Sequence, residues 1–265
     1  MNSGPNADPR FVDYYAEQST SAQTLQRIDG VRRVLLRLRS EYGFPTTSLA
    51  VLDIGCGAGT QALAWAREGH HAQGVDISAP LIEIARKRAA NSGFATTFLV
   101  GSATELPLGD SSCDVVLVSE LLEHLHNWKA CVDEALRVLR PGGVVYFSTT
   151  NRLCPVQQEF KLPLYSWYPR SVKERCEVLA VTTHRHWVQF ASLPAVNWFS
   201  YYQFRDYLGA RGIRTRDRFE LMRPQGSLLR SMVVAAAHRS AAVRFLGQVM
   251  TPYTVVAGVK TAPSN

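Results

Sequence analysis

The chain has no cysteine framework. Its five cysteines (Cys56, Cys113, Cys131, Cys154 and Cys176) are odd in number and include no C-x-x-C pair. That pattern predicts free thiols in a reducing cytoplasm rather than disulfides or a zinc site. No apolar run is long enough to cross a bilayer. The lead from Met1 to Arg10 is polar, contains Pro5 and Pro9, and lacks the apolar core of a signal peptide. Internal repeats and low-complexity linkers are also missing. The basic residues are scattered rather than blocked, although the net charge is +7 and the pI about 9.3. Such a balance permits nucleic acid, anionic lipid or an acidic substrate as partner and selects none of them. At 265 residues the chain suits one α/β domain with additions, or one domain plus a small lobe.

The most informative stretch is Val51-Leu-Asp-Ile-Gly-Cys-Gly-Ala-Gly-Thr60. Leu49, Val51, Leu52 and Ile54 read as a buried strand, and a helical pattern opens at Thr60. Gly55, Gly57 and Gly59 lie between them. A turn of this kind can bend sharply and bring backbone N–H groups against a ligand, beside the free N–H groups of the helix start. The spacing is G-x-G-x-G. A dinucleotide fingerprint would be G-x-G-x-x-G, and its last glycine position is Thr60 here. A second short strand, Ala72 to Val75, closes at Asp76. An acidic residue there can accept hydrogen bonds from both hydroxyls of a ribose.

The next informative stretch is Ser119-Glu-Leu-Leu-Glu-His-Leu125, which follows the continuous apolar strand Asp114 to Val118. Read as a helix, it places Glu120, Glu123 and His124 on one face. Two carboxylates and an imidazole can hold a divalent ion: magnesium or manganese by the oxygen donors, zinc, iron or cobalt by the imidazole. The other reading leaves out the ion and keeps His124 as orienting group or base. His184 and His186 read either as further ligands or as surface histidines.

With Asp53 in front of the glycines, D-x-G-x-G-x-G resembles motif I of class I S-adenosylmethionine (SAM) methyltransferases. Asp76, then a helix, then Leu139-Arg-Pro-Gly-Gly143 and an apolar strand extend the likeness over about 100 residues in the right order. Within that class, E-x-x-E-H resembles the metal site of ubiquinone-biosynthesis O-methyltransferases and of small-RNA 3′-terminal 2′-O-methyltransferases. Arg27-Ile-Asp-Gly-Val-Arg32 resembles the segment that supplies an arginine to the SAM carboxylate in the ubiquinone group, with Arg32 the matching residue. The resemblance implies that SAM lies along Asp53, Gly55, Cys56, Gly57 and Gly59. Asp76 would hold its ribose, and Ile77 would pack beside the adenine. Ser102, Ala103 and Ser119 complete that set. The class usually has aspartate where this chain has Ser102.

The fold implied is a doubly wound, mostly parallel sheet of about seven strands, the last antiparallel between strands five and six. Residues 1–45 would form a helical cap, 46–150 the SAM-binding core, 151–202 a substrate-covering insertion, and 203–265 the rest of the sheet with a C-terminal helix. Other expectations are a turn at Arg140–Gly143, strand six from Arg214 to Leu221, and a long helix from Ser227 to Leu246 that suits either the sheet edge or a membrane surface. The insertion is dense in aromatics (Phe160, Tyr165, Trp167, Tyr168, Trp187, Phe190, Trp198, Phe199), which fits a planar or apolar acceptor. Lys161, Arg170, Lys173 and Arg175 are spread out along it, which argues against a strongly polar one. The resulting expectation is methyl transfer to oxygen of a small phenol, catechol or quinone-like lipid, with Mg2+ as a candidate ion. An RNA 3′ end, or SAM binding without turnover, are the alternatives.

Overall fold

The computed structural model describes residues 16–156, 162–184, 195–224 and 227–261, with Val12, Phe160 and Trp187. Phe11, Tyr14, Tyr15, Lys161, His186 and Phe190 lie outside the described residues. The elements run α1 (Ala22–Glu41), β1 (Ala50–Ile54), α2 (Thr60–Arg67), β2 (His71–Asp76), α3 (Ala79–Ser92), β3 (Thr97–Val100) and β4 (Cys113–Ser119). Then come α4 (Trp128–Val138), β5 (Leu139–Thr150), α5 (Arg170–Thr182), α6 (Tyr201–Gly209) and β6 (Ile213–Asp217). The chain closes with α7 (Arg218–Leu221), α8 (Leu228–Arg239), α9 (Ala241–Val249) and β7 (Tyr253–Lys260).

Seven strands form one sheet in the order β3-β2-β1-β4-β5-β7-β6. The first five are parallel, and β7 runs antiparallel between β5 and β6, as expected. The continuous apolar strands follow from burial on both faces. Leu52, Ile54, Val116, Val118, Val145 and Phe147 face α4 and α6. Their alternate neighbours Val51, Val115, Leu117, Val144 and Tyr146 face α1, α2 and α3. Between β1 and β4 the strand order reverses, and crevices for ligands in such sheets open at the strands' carboxyl ends.

Three local expectations are corrected. Arg140 to Gly143 is not a turn but part of β5, where the pairing to β4 slips between Cys113 and Val115. Gly142 takes φ +76° in this bulge, and a Cβ there would strike the ring of Phe44. Strand six stops at Asp217 because a capping box starts a helix. The Asp217 carboxylate accepts from the Phe219 and Glu220 amides, and Glu220 accepts from the Asp217 amide. The C-terminal helical stretch is two helices, α8 and α9. Phe160, Tyr165 and Ala180 build a small core of their own with Leu162, Tyr168, Cys176, Trp187 and Trp198, and Phe160 stacks on Tyr165 at 4.1 Å.

Helix α1 is tied to the sheet through one of its arginines. Arg39 is buried and donates to Asp114 Oδ1 at 3.2 Å, to Gly142 O at 2.9 Å and to Pro45 O at 2.5 Å. Asp114 also accepts from Arg140 at 2.8 Å and from the Ala50 amide at 2.9 Å. One carboxylate thus joins α1, β1, β4 and the β5 bulge. Asp114→Ala strands a buried guanidinium and is expected to cost about 3–5 kcal/mol in urea unfolding. Arg140→Ala removes the exposed partner and should cost under about 1 kcal/mol.

Candidate active site

Gly55, Gly57 and Gly59 all adopt positive φ, at +73°, +51° and +80°. At Gly59 a Cβ would stand 2.6 Å from the Phe98 ring and 2.8 Å from Ala85, so both the conformation and the space require glycine. Asp76 holds the turn from the next strand. Its carboxylate accepts from the Gly57 amide at 2.9 Å and from the Ser78 amide at 2.8 Å. Asp53 is buried at the end of β1, within Coulomb range of Asp76. Burial first, and the Asp76 charge second, push its carboxyl up to about 8. Asp76 is raised by burial too, against the pull of its backbone donors.

Two apolar side chains stay in the open beside this pair of carboxylates. Ile77, directly after Asp76, is 69% exposed, and Val100 at the end of β3 is also exposed. Ser102 forms a local turn, its Oγ accepting from the Thr104 amide at 3.2 Å and lying 2.8 Å from Thr104 Oγ1. Ala103 packs partly into the core under α4. Cys56 is buried with its sulfur against Gly74, so burial pushes its thiol far up and leaves it inert. The glycine turn, Asp53, Asp76, Ile77 and Ser102 therefore converge at the carboxyl ends of β1, β2 and β3.

Sequence reasoning missed Gln61. Its Nε2 donates to Asp53 at 3.3 Å and reaches Ser119 Oγ at 3.5 Å, bridging the ends of β1 and β4. The signal was its place in the first turn after the glycines. The two arginines of the Arg27–Arg32 segment go to different places. Arg32 pairs with Asp29 at 2.5 Å and with Glu68 at 2.7 Å, beyond the last residue of α2 and away from the glycine turn at its start. Arg27 instead pairs with Glu120 at the carboxyl end of β4. Five residues along a helix turn the direction by about 140°, so the two arginines cannot serve the same place.

The E-x-x-E-H stretch is not an α-helix. Glu120 takes φ +52°, a strained conformation for a residue with a Cβ, and only Leu122–His124 form a 3₁₀ turn. The three side chains consequently part company. Glu120 goes to Arg27. Glu123 is fully buried, accepts from the Thr149 hydroxyl at 2.7 Å, and through its carbonyl accepts from the Val196 and Asn197 amides. His124 stays half-buried at the turn. His184 lies 2.7 Å from Thr183 Oγ1 and its ring sits 4.4 Å from that of Trp187. Among the described residues no three His, Cys, Asp or Glu side chains converge to hold a metal ion. This donor set does not fit a divalent ion.

Residues 52–147 match the methyltransferase domain family. A ubiquinone biosynthesis O-methyltransferase of Pectobacterium carotovorum is 30% identical over 64% of this chain and 71% of its own. One from Cupriavidus pinatubonensis is 33% identical over 56% of this chain and 61% of its own. In fold, the chain is similar to magnesium protoporphyrin IX methyltransferase of Synechocystis, a structure with bound SAH. That match has a TM-score of 0.51 at 17% identity and covers 89% of this chain and 83% of the other.

The raised Asp53 carboxyl makes a pH prediction. The folded chain keeps this proton up to about pH 8, whereas the unfolded chain releases it near 4, so this group's contribution to stability falls as pH rises between those values. A cationic donor such as SAM favours the carboxylate and displaces the proton. SAM affinity measured by calorimetry should therefore rise from pH 6 to 8, by up to about tenfold per unit. In Asp53→Asn the profile should be shallower, with Asp76 the remaining raised carboxyl.

Proposed function

The chain is a class I SAM-dependent methyltransferase, and on that premise we propose that it methylates the oxygen of a phenol or catechol. The observation that carries this reading is the joint Asp53–Gly57–Asp76 turn beside a half-buried histidine and an aromatic-rich segment. The names of the relatives support oxygen as acceptor atom. Backbone amides of the glycine turn and the Asp76 carboxylate orient the amino-acid and ribose parts of SAM. Asp53 offers negative charge to its ammonium group, and Ile77 gives the adenine an apolar side.

Methyl transfer from a sulfonium to oxygen is an in-line displacement. The protein aligns the two atoms and takes the acceptor's proton. His124, half-buried in the turn that follows β4, is the proposed base, because an imidazole is the side chain best matched to proton transfer near neutral pH. No step is assigned to a metal ion. Transfer from labelled SAM to a catechol panel tests this reading. His124→Ala should lower kcat about 10²- to 10⁴-fold and leave SAM affinity intact. EDTA should leave the rate unchanged. Loss on EDTA with rescue by magnesium would overturn the assignment of the base, and SAM binding without transfer to any acceptor would overturn the enzymatic reading.

The reading includes contact with a lipid surface. Among the described residues no helix is long and apolar enough to cross a membrane. Leu228, Leu229, Met232 and Val233 on α8 and Phe245 and Leu246 on α9 are nevertheless all exposed, near Arg239 and Arg244. Anionic vesicles should sediment the protein. Leu229→Glu with Met232→Glu should release it without altering SAM affinity.

A further inference from the structure

His124 sits in a turn that does little to hold itself. A 3₁₀ turn of three residues closes with few bonds, and their geometry is poorer than in an α-helix. The His124 amide donates to Leu121 O at 3.0 Å, but the Leu125 amide reaches Leu122 O only at 3.4 Å. Carbonyls at the end of such a turn need donors from elsewhere. Here the donors come from far along the chain. The Asn197 side chain places Nδ2 3.0 Å from Leu122 O and 2.7 Å from Leu125 O. Its backbone amide donates to Glu123 O at 3.1 Å, beside the Val196 amide at 2.7 Å. Both side-chain partners are carbonyls, so only the NH₂ end of the Asn197 amide suits this orientation, and its two hydrogens match two acceptors.

Asn197 is itself anchored to the sheet. The Thr150 hydroxyl donates to its carbonyl at 2.8 Å, and Phe199 forms a parallel bridge with Asn151. The Phe199 carbonyl accepts from the Arg152 amide at 2.9 Å and from the Thr254 hydroxyl at 3.0 Å. The strip around Asn197 is thus mounted on the end of β5, and β5 also reaches the turn directly, from the Thr149 hydroxyl to the Glu123 carboxylate. Val196, Asn197 and Trp198 also line a cavity of about 1090 Å³ bounded by α5 and α6. Open space rather than solid core lies there, so the place of the strip against the turn rests on these hydrogen bonds.

We propose that Asn197 is a positioning residue for methyl transfer: by holding the Leu122, Glu123 and Leu125 carbonyls it sets the place of His124 beyond the carboxyl end of β4. This rests on the reading of His124 as the base. A base must lie within hydrogen-bond reach of the hydroxyl it serves, and a displacement of about 1 Å can cost about 10²-fold in rate. Asn197 touches neither SAM nor acceptor in this account and acts only through the turn.

The test compares Asn197→Ala and Asn197→Asp with the wild type, in the full chain and with the fastest acceptor of the catechol panel. Alanine removes the donors, whereas aspartate turns an oxygen toward two carbonyls and should do more harm. Asn197→Ala should lower kcat about 10- to 100-fold, with SAM affinity and the acceptor KM changed less than about threefold. In the His124→Ala background the same substitution should cost less than about twofold, because a residue acting through another has nothing left to act on. Thr150→Val loosens the strip without altering the Asn197 side chain. It should lower kcat in the same direction by a smaller factor, which serves as the second reading where Asn197→Ala does not fold. Histidine NMR without acceptor reads the turn itself. The His124 ring signals, identified by their absence from His124→Ala, should move in Asn197→Ala, while those of His70 and His71 stay. Unmoved His124 signals, or a loss of rate that persists in full in the His124→Ala background, overturn the inference. A wild-type rate in His124→Ala overturns the base assignment and the part of Asn197 in catalysis together. A reduced rate in His124→Ala with unmoved ring signals in Asn197→Ala keeps the base and overturns Asn197 alone.

Discussion

One carboxylate ties the donor side of this protein together. Asp76 stands at the end of β2 but accepts from the Gly57 amide of the neighbouring turn, as well as from Ser78 in its own. The two βα turns that would face SAM are thereby fixed to each other rather than merely adjacent. The consequence is electrostatic. Asp76 lies near enough to Asp53 to help keep that carboxyl protonated. Two acids crowded into a nearly dry corner favour a cation, and SAM carries two positive groups, the sulfonium and the ammonium. The glycines allow the close approach, and the paired acids provide the reason for it.

The opposite end of the sheet is organised by a second carboxylate. Asp114 collects Arg39, Arg140 and the Ala50 amide, so α1 is anchored where no ligand is expected. This anchoring sets the rotation of α1 and, through it, which arginine reaches the carboxyl end. Arg27 does, and it meets Glu120. Glu120 in turn adopts a left-handed backbone that ends β4 abruptly. Strain of this sort persists only where the surroundings hold it, and it often lies beside a functional site. Here it separates Glu120, which meets Arg27, from Glu123, which accepts from the Thr149 hydroxyl.

The aromatic segment after β5 illustrates how a surface acquires chemistry from folding. Its rings build a small core, and the remaining rings join α4 and α6 around an open cavity. Arg152 follows β5 while Lys173 sits on α5, and the fold brings both to the wall of one cavity.

What the sequence determined by itself is what local rules can carry. Three glycines between an apolar strand and a helix require a sharp turn, and an acid closing the next strand fits a ribose. The alternation of apolar residues on β1, β4 and β5 calls for a sheet covered on both sides. That the last strand runs antiparallel between strands five and six followed from resemblance, and the structure agrees with it. The tertiary structure decided everything that depends on direction. Helical spacing at Glu120, Glu123 and His124 implied a shared face, but the hydrogen bond from the Glu120 amide to the Ser148 carbonyl keeps Glu120 paired with β5, and only Leu122–His124 turn as a short 3₁₀ helix. Arg32 matched a motif, yet its ion pairs point it away from the glycines. Lys161, Arg170, Lys173 and Arg175 are spread out along the sequence, yet Arg170 and Lys173 line one cavity. Side-chain direction is set by long-range contacts, and spacing along the chain carries no record of those contacts.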